Sequence, residues 1–164
     1  MNFQRQVSNA LDNEHRASLE LLGRIEQHFV RAPRVRAGAD PDFARLATAF
    51  VSLMEQDIGR HFDFEENEMF TRMVEAGEGG IASLLRQEHD ALREVAAEIL
   101  PLARAAAAGG LDADGYQQLK VGALEMVERQ VSHIQKETMA LLPMLDDLLD
   151  EQTDRELAFA YAAT

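Results

Sequence analysis

Two copies of one short spacing stand out in this chain: a histidine followed four residues later by a glutamate. His61 and Glu65 form the first, in HFDFEENEMF, and His133 and Glu137 form the second, in HIQKETMALLP. Residues four apart on an α-helix sit one above the other on a single face. An imidazole nitrogen and a carboxylate on one face make a two-point grip for a metal ion. Two such grips on separate helices can hold a pair of metals inside a bundle.

The rest of the chain supplies the helices. Turn-rich breaks fall at Ala32 to Pro41, at Ala76 to Gly80 and around Gly109 to Asp114. Four long segments remain, roughly 5–31, 42–75, 81–108 and 113–142. Each carries apolar residues at three- and four-residue steps, the mark of an amphipathic helix. Leu11, Leu19, Leu22, Ile25 and Phe29 form the first stripe. Phe43, Leu46, Phe50 and Met54 begin the second, which resumes at Met69. Leu85, Leu92 and Ile99 form the third. Leu119, Ala123 and Met126 lead the fourth towards Ala140 and Met144. Pro101 is predicted to kink or end the third helix, and Pro143 to end or bend the fourth. Beyond it, MLDDLL and a capping box from Thr153 to Glu156 predict a further short helix. The expected fold is an all-α, up-down-up-down four-helix bundle with a short extra C-terminal helix, in a single domain over 1–164.

Polar residues interrupt these stripes at four places. His15 falls between Leu11 and Leu19, and His89 between Leu85 and Leu92. His61 and Glu65 fall between Met54 and Met69, and His133 and Glu137 between Met126 and Ala140. At about 1.5 Å per residue, His15 lies about 24 Å before the first break and His61 about 30 Å after it. His89 and His133 both lie about 29–32 Å from the third break. All four helices therefore bring these groups to one level. A buried, ionised glutamate without a partner costs several kcal/mol or neutralises. Two cations would relieve both glutamates and use the histidine lone pairs. Nitrogen and oxygen donors without sulfur favour Fe, Mn or Zn.

In NEHRASLELL, HFDFEENEMF, QEHDALRE and HIQKETMALLP, taken in this order, the chain resembles the hemerythrin-like family, the His/His/Glu cation-binding four-helix domain. The resemblance covers about residues 8–145. It implies a non-haem di-iron centre, oxo- or hydroxo-bridged, with Mn or Zn as alternative occupants. By the family pattern, His15 and His61 would bind one iron, His89 and His133 the other, and Glu65 and Glu137 would bridge them. Oxygen-carrying members have a second histidine four residues after the one on the third helix; here Arg93 stands there. They also carry an Asp five residues after the fourth-helix histidine, where this chain has a Glu four after. The set thus resembles the six-ligand bacterial variant. Similar sets occur in iron-centre repair proteins and in a eukaryotic iron and oxygen sensor domain. Fewer ligands imply open coordination at one iron. That favours binding of O₂, NO or peroxide, as sensor or scavenger, over simple oxygen carriage. Iron handling or iron–sulfur cluster repair is one alternative, although those repair proteins carry a cysteine-containing region. A di-iron oxidase, peroxidase or NO reductase is another, with no substrate-pocket signature in its favour; a purely structural metal is a third.

The remaining composition narrows the setting. A formal net charge of −13 argues against nucleic acid or an anionic membrane as partner and suits attraction of cations. The absence of cysteine removes disulfides, thiolate sites and protein-ligated iron–sulfur clusters. No signal-peptide pattern or bilayer-length apolar run is present, so a cytoplasmic location is expected. A sensor would need a protein partner, which the sequence does not identify. His28 is expected on the surface, with Glu14, Glu66, Glu68 and Glu88. The methionines are expected to fill the core. Asp57 and Gln130, one turn before His61 and His133, are candidates to orient those imidazoles or else partly exposed residues. Arg93 has two readings: a structural residue reaching outward, or a partner for a bridging carboxylate or bound anion.

Overall fold

A computed structural model describes residues 2–35 and 40–164. Five helices make up the architecture among the described residues, and no strand occurs. Helix α1 is Gln6–Arg31. Helix α2 starts as Pro41–Gln56 and passes through a wide, π-helical turn at Asp57–His61. After Phe62–Phe64 it makes a second such turn at Glu65–Met69, then finishes as Phe70–Glu75. Helix α3 is Gly79–Ala107. Helix α4 runs as Ala113–Lys136, widens at Glu137–Leu141 and continues as Leu142–Leu148. Helix α5 is Glu151–Ala162. Short connections between α2, α3 and α4 set them antiparallel, and α1 packs against both α2 and α4, closing an up-down-up-down bundle.

Local chemistry accounts for the helix ends. The Asp40 carboxylate accepts from the Asp42 and Phe43 N–H groups, with Pro41 in the first turn. Asp112 accepts from the Gly115 N–H at 2.7 Å. At the end of α2, Gly77 takes φ 90°, while Glu78 N–H reaches Met73 C=O at 2.8 Å and Gly77 N–H reaches Val74 C=O at 3.1 Å. Gly109, at φ 75°, closes α3 in the same left-handed conformation. The first break lies partly outside the described residues, at 36–39.

Three local expectations differ from what is found. Helix α3 continues through Pro101. The proline is on the solvent face, and Ala97, whose carbonyl loses its helical partner, is exposed there too, so water can satisfy it. Helix α4 also continues past Pro143. Just before the proline, the Leu142 N–H bonds Glu137 C=O, five residues back, so the helix has already widened where the ring needs room. The capping residue of α5 is Asp150, accepting from Thr153 N–H at 2.7 Å, so the helix begins before the expected Thr153 box.

Two apolar clusters fill the bundle. Leu22, Phe29, Phe50, Met54, Phe62, Leu92, Ile99, Leu119 and Met126 belong to one. Val7, Leu11, Met69, Phe70, Met73, Leu85, Leu141, Leu145, Leu157 and Tyr161 belong to the other. On every long helix the interrupting polar residues fall between members of the two clusters. A polar layer is thus sandwiched between two dry ones. Met139, expected in the core, is exposed on the widened turn of α4.

Candidate metal centre

All six expected ligand residues meet in that layer, and all are nearly inaccessible to solvent: His15 and His61 at 3%, Glu137 at 1%, and Glu65, His89 and His133 at 0%. They divide into two groups of four. His15, His61, Glu65 and Glu137 form one; Glu65, His89, His133 and Glu137 form the other. Within each group the donor atoms lie within 4.8 Å of one another. The two carboxylates belong to both groups, while each imidazole belongs to one.

The inward atoms approach closely. His15 Nε2 is 2.9 Å from Glu137 Oε2, and His133 Nε2 is 2.7 Å from Glu137 Oε1. His61 Nε2 is 3.0 Å from Glu65 Oε1, and His89 Nε2 is 3.2 Å from Glu65 Oε2. Yet His15 Nε2, His89 Nε2, His133 Nε2, both Glu65 oxygens and Glu137 Oε1 have no properly aligned hydrogen-bond partner. Buried polar atoms are ordinarily paired, so this cluster of orphans points to a missing partner common to them all. Donor atoms about 2.1 Å from one ion and at right angles lie about 3 Å apart. The observed separations match that geometry, and the residues present therefore fit a pair of cations.

The outward nitrogens explain why the lone pairs face inward. His61 Nδ1 lies 3.0 Å from Glu14 Oε2, His89 Nδ1 2.9 Å from Glu66 Oε1, and His133 Nδ1 2.8 Å from Glu88 Oε2. His15 Nδ1 lies 3.2 Å from the Thr138 hydroxyl. An Nδ1–H donated outward fixes the tautomer, orients the ring and makes Nε2 a better donor to a metal. The pattern is cyclic: a residue of α1 orients the histidine of α2, α2 serves α3, α3 serves α4, and α4 serves α1. Each orienting residue adjoins an inward-facing residue in sequence. One helical step turns it about 100°, away from its own neighbour and onto the next helix's imidazole.

Glu14, Glu66 and Glu88 are therefore not free surface residues, as their sequence positions suggest. Each is also paired on its outer side with a cation. Glu14 meets Arg60; Glu66 meets Arg93 at 2.7 Å; Glu88 meets Lys136. Arg93 reaches outward, stacks over the Phe62 ring at 5.5 Å and holds Glu66, so of its two readings the structural one stands. Glu68 does sit on the solvated face, paired with Arg72. Asp57 and Gln130 are buried but bond each other, Gln130 Nε2 donating to Asp57 Oδ2 at 3.1 Å. Neither orients an imidazole, because the outer nitrogens of His61 and His133 are taken by Glu14 and Glu88. His28 is half-buried, stacked on Phe43 at 4.4 Å and bonded to the Tyr116 hydroxyl at 3.2 Å.

Two further residues had no sequence signal. Phe62 stacks face to face on the His89 ring at 3.7 Å, limiting its rotation. Tyr161, on α5, donates its hydroxyl hydrogen to Glu14 Oε2, with its oxygen 3.0 Å from His61 Nδ1. Burial, reinforced by Glu14, pushes the Tyr161 pKa far up, so the phenol stays a donor.

The metal-free layer compensates its charge with protons. Burial opposes charge on His89, but its contacts with Glu137 and Glu65 outweigh that and raise its pKa to about 9. Burial opposes charge on His61 likewise, and Glu65 and Glu14 hold its pKa well above the ordinary value. Burial works against the Glu14 carboxylate, yet hydrogen bonds from His61 and Tyr161 and the Arg60 charge bring it down to about 2. Burial alone dominates at Asp57, which rises to about 6. A layer that draws protons onto His61, His89 and His133 also favours other positive charge.

Fold and site together define a four-helix bundle whose core layer is suited to cations. The model of the hemerythrin HHE cation-binding domain matches residues 6–145, and the chain belongs to that family. Comparison with curated proteins and with solved structures gives no significant match. No helix is long and apolar enough to cross a membrane, among the described residues.

Proposed function

We propose that this is a binuclear non-haem iron protein that binds O₂ or a related small ligand, NO or peroxide, as sensor or scavenger. The observation that carries the reading is the sharing of Glu65 and Glu137 between two otherwise separate His-His sets whose inward atoms lack partners. His15 and His61 would hold one iron, His89 and His133 the other, with both carboxylates between them. Two irons, when bound, supply a redox couple and a coordination position that small ligands can enter.

This chain's own residues do the rest. Glu14, Glu66, Glu88 and Thr138 hold the four imidazoles in one tautomer. The apolar clusters above and below exclude water from the layer. A cavity lined by Leu22, Phe50, Met54, Phe62, Leu92 and Met126 adjoins it through Asp57 and Gln130, with about 10 Å³ of free volume. That is about the room one water molecule needs, too little for an organic substrate.

Metal analysis with an optical spectrum, on protein from an iron-supplemented culture, should give two irons per chain and an oxo-bridge absorption. Anaerobically reduced protein titrated with O₂ or NO should then develop charge-transfer bands. Silence in both titrations with two irons bound would sink the small-ligand reading. Steady turnover of peroxide or NO above free-iron controls would make the protein an enzyme instead.

A further inference from the structure

We propose that Tyr161 is a positioning residue for the His61 half of the site, so that docking of α5 sets how firmly that half holds its metal. The inference rests on the binuclear reading above and concerns residues beyond the 6–145 family match.

Three observations converge on Tyr161, which is 3% exposed. Its hydroxyl meets both Glu14 and His61 Nδ1, so it braces the imidazole and the carboxylate that orients it. Its ring is held between Phe64, 4.5 Å away, and the Arg60 guanidinium, 4.6 Å away. Its backbone carbonyl accepts from Arg60 at 3.4 Å. Arg60 also pairs with Glu14, so one cation ties the carboxylate, the phenol ring and the end of α5 together.

The near end of α5 is fastened separately. The Asp154 carboxylate accepts from Gln6 N–H at 2.8 Å and Val7 N–H at 2.9 Å, capping the start of α1. Leu157 packs between these anchors in the apolar cluster with Val7 and Leu11. The helix is therefore fixed at one end to the fold and at the other to the site.

Among the described residues, the opposite half has no brace from α5. Partners of His89 and His133 come from α2 and α3, as Glu66 and Glu88. Loss of the Tyr161 hydroxyl should therefore be felt at one metal position and not at the other.

The test uses the full chain loaded anaerobically with ferrous iron and challenged with a ferrous chelator. Wild-type stoichiometry is read first; fewer than two irons would overturn the binuclear reading before any variant is compared. Tyr161→Phe removes only the hydroxyl and keeps the ring packing. One of its two irons should leave on the order of 10-fold faster, the second at the wild-type rate. In the zinc-loaded protein, the His61 imidazole N–H resonance should move, while those of His89 and His133 stay. Phe159→Ala, on the solvent face of the same helix, should match wild type in both measurements. Wild-type release of both irons from the tyrosine variant, equal acceleration of both, or an unmoved His61 resonance would each overturn the proposal.

Discussion

At the scale of single residues, the site is a double ring. Inside are four imidazoles and two carboxylates; outside are Glu14, Glu66, Glu88 and Thr138, each bonded to the imidazole of the next helix. The inner ring was legible in the sequence because buried histidine and glutamate are rare on apolar stripes and here recur at one depth. The outer ring was not. Glu14 and Glu88 point away from their own neighbours His15 and His89, as adjacent helical residues must, and no single-helix argument reveals what the next helix presents. Truncating an outer residue should weaken the inner one it serves. Glu88→Ala should lower metal affinity about 10- to 100-fold, measurable by competition against a chelator of known strength. His61→Ala should sharply lower metal content on purification. His28→Ala should leave metal content alone yet lower stability by about 1–2 kcal/mol, because it loses the stack on Phe43 and the Tyr116 bond; metal analysis and a thermal melt separate the two effects.

At the scale of elements, close approach and wide turns position the layer. Helices α3 and α4 meet at Gly122, where an added Cβ would lie 2.1 Å from Ile99 Cγ2. Gly122→Ala should therefore destabilise the protein by about 1–3 kcal/mol. Gly23, within α1, has nothing within 4 Å of its would-be Cβ. Gly23→Ala should stabilise by about 0.5–1 kcal/mol through helix propensity. Paired melts of these variants compare crowding with propensity directly. Helix number and most boundaries followed from apolar spacing and turn residues. The wide turns did not, although a trace of them exists. Asp57, His61, Glu65, Met69 and Met73 are all buried, as are His133, Glu137, Leu141, Leu145 and Leu149. Steps of four drift about 40° each around an ordinary α-helix. An unbroken run of such steps on one face requires turns wider than α, and three occur where the inward-facing residues lie. Pro101 and Pro143 are tolerated for complementary reasons: at Pro101 water can satisfy the carbonyl freed at Ala97, and at Pro143 a wide turn has already made room for the ring.

At the scale of the whole molecule, protons and metal compete for one layer. In the metal-free protein His89 titrates at about 9, above its usual 6.5. A raised pKa means the folded state binds the proton more tightly. Its stabilisation is complete below about pH 6.5 and lost as pH rises through 9. Asp57, raised to about 6, acts with the same sign at lower pH. Glu14, held at about 2, acts oppositely, losing its contribution only as pH falls through that value. Metal-free protein should thus melt at a lower temperature at pH 9 than at pH 6.5. Metal should raise the melting temperature at both and flatten the difference, with protons released on binding. Melts with and without chelator across that range, and proton release by calorimetry in two buffers, check each part. A protein whose melting point ignores chelation would contradict the coupling of site and fold.

The wide turns also tie the length of the chain to its chemistry. Between Asp57 and Met69, and again between Glu137 and Leu141, side chains can be exchanged one at a time and the helix keeps its course. Adding or removing a single residue there would rotate everything beyond by about 100°. Glu65 would leave the layer, and Met73 or Leu145 would turn towards water. A substitution at an outward position of these stretches leaves the site in place, whereas their residue count is held fixed by the site itself.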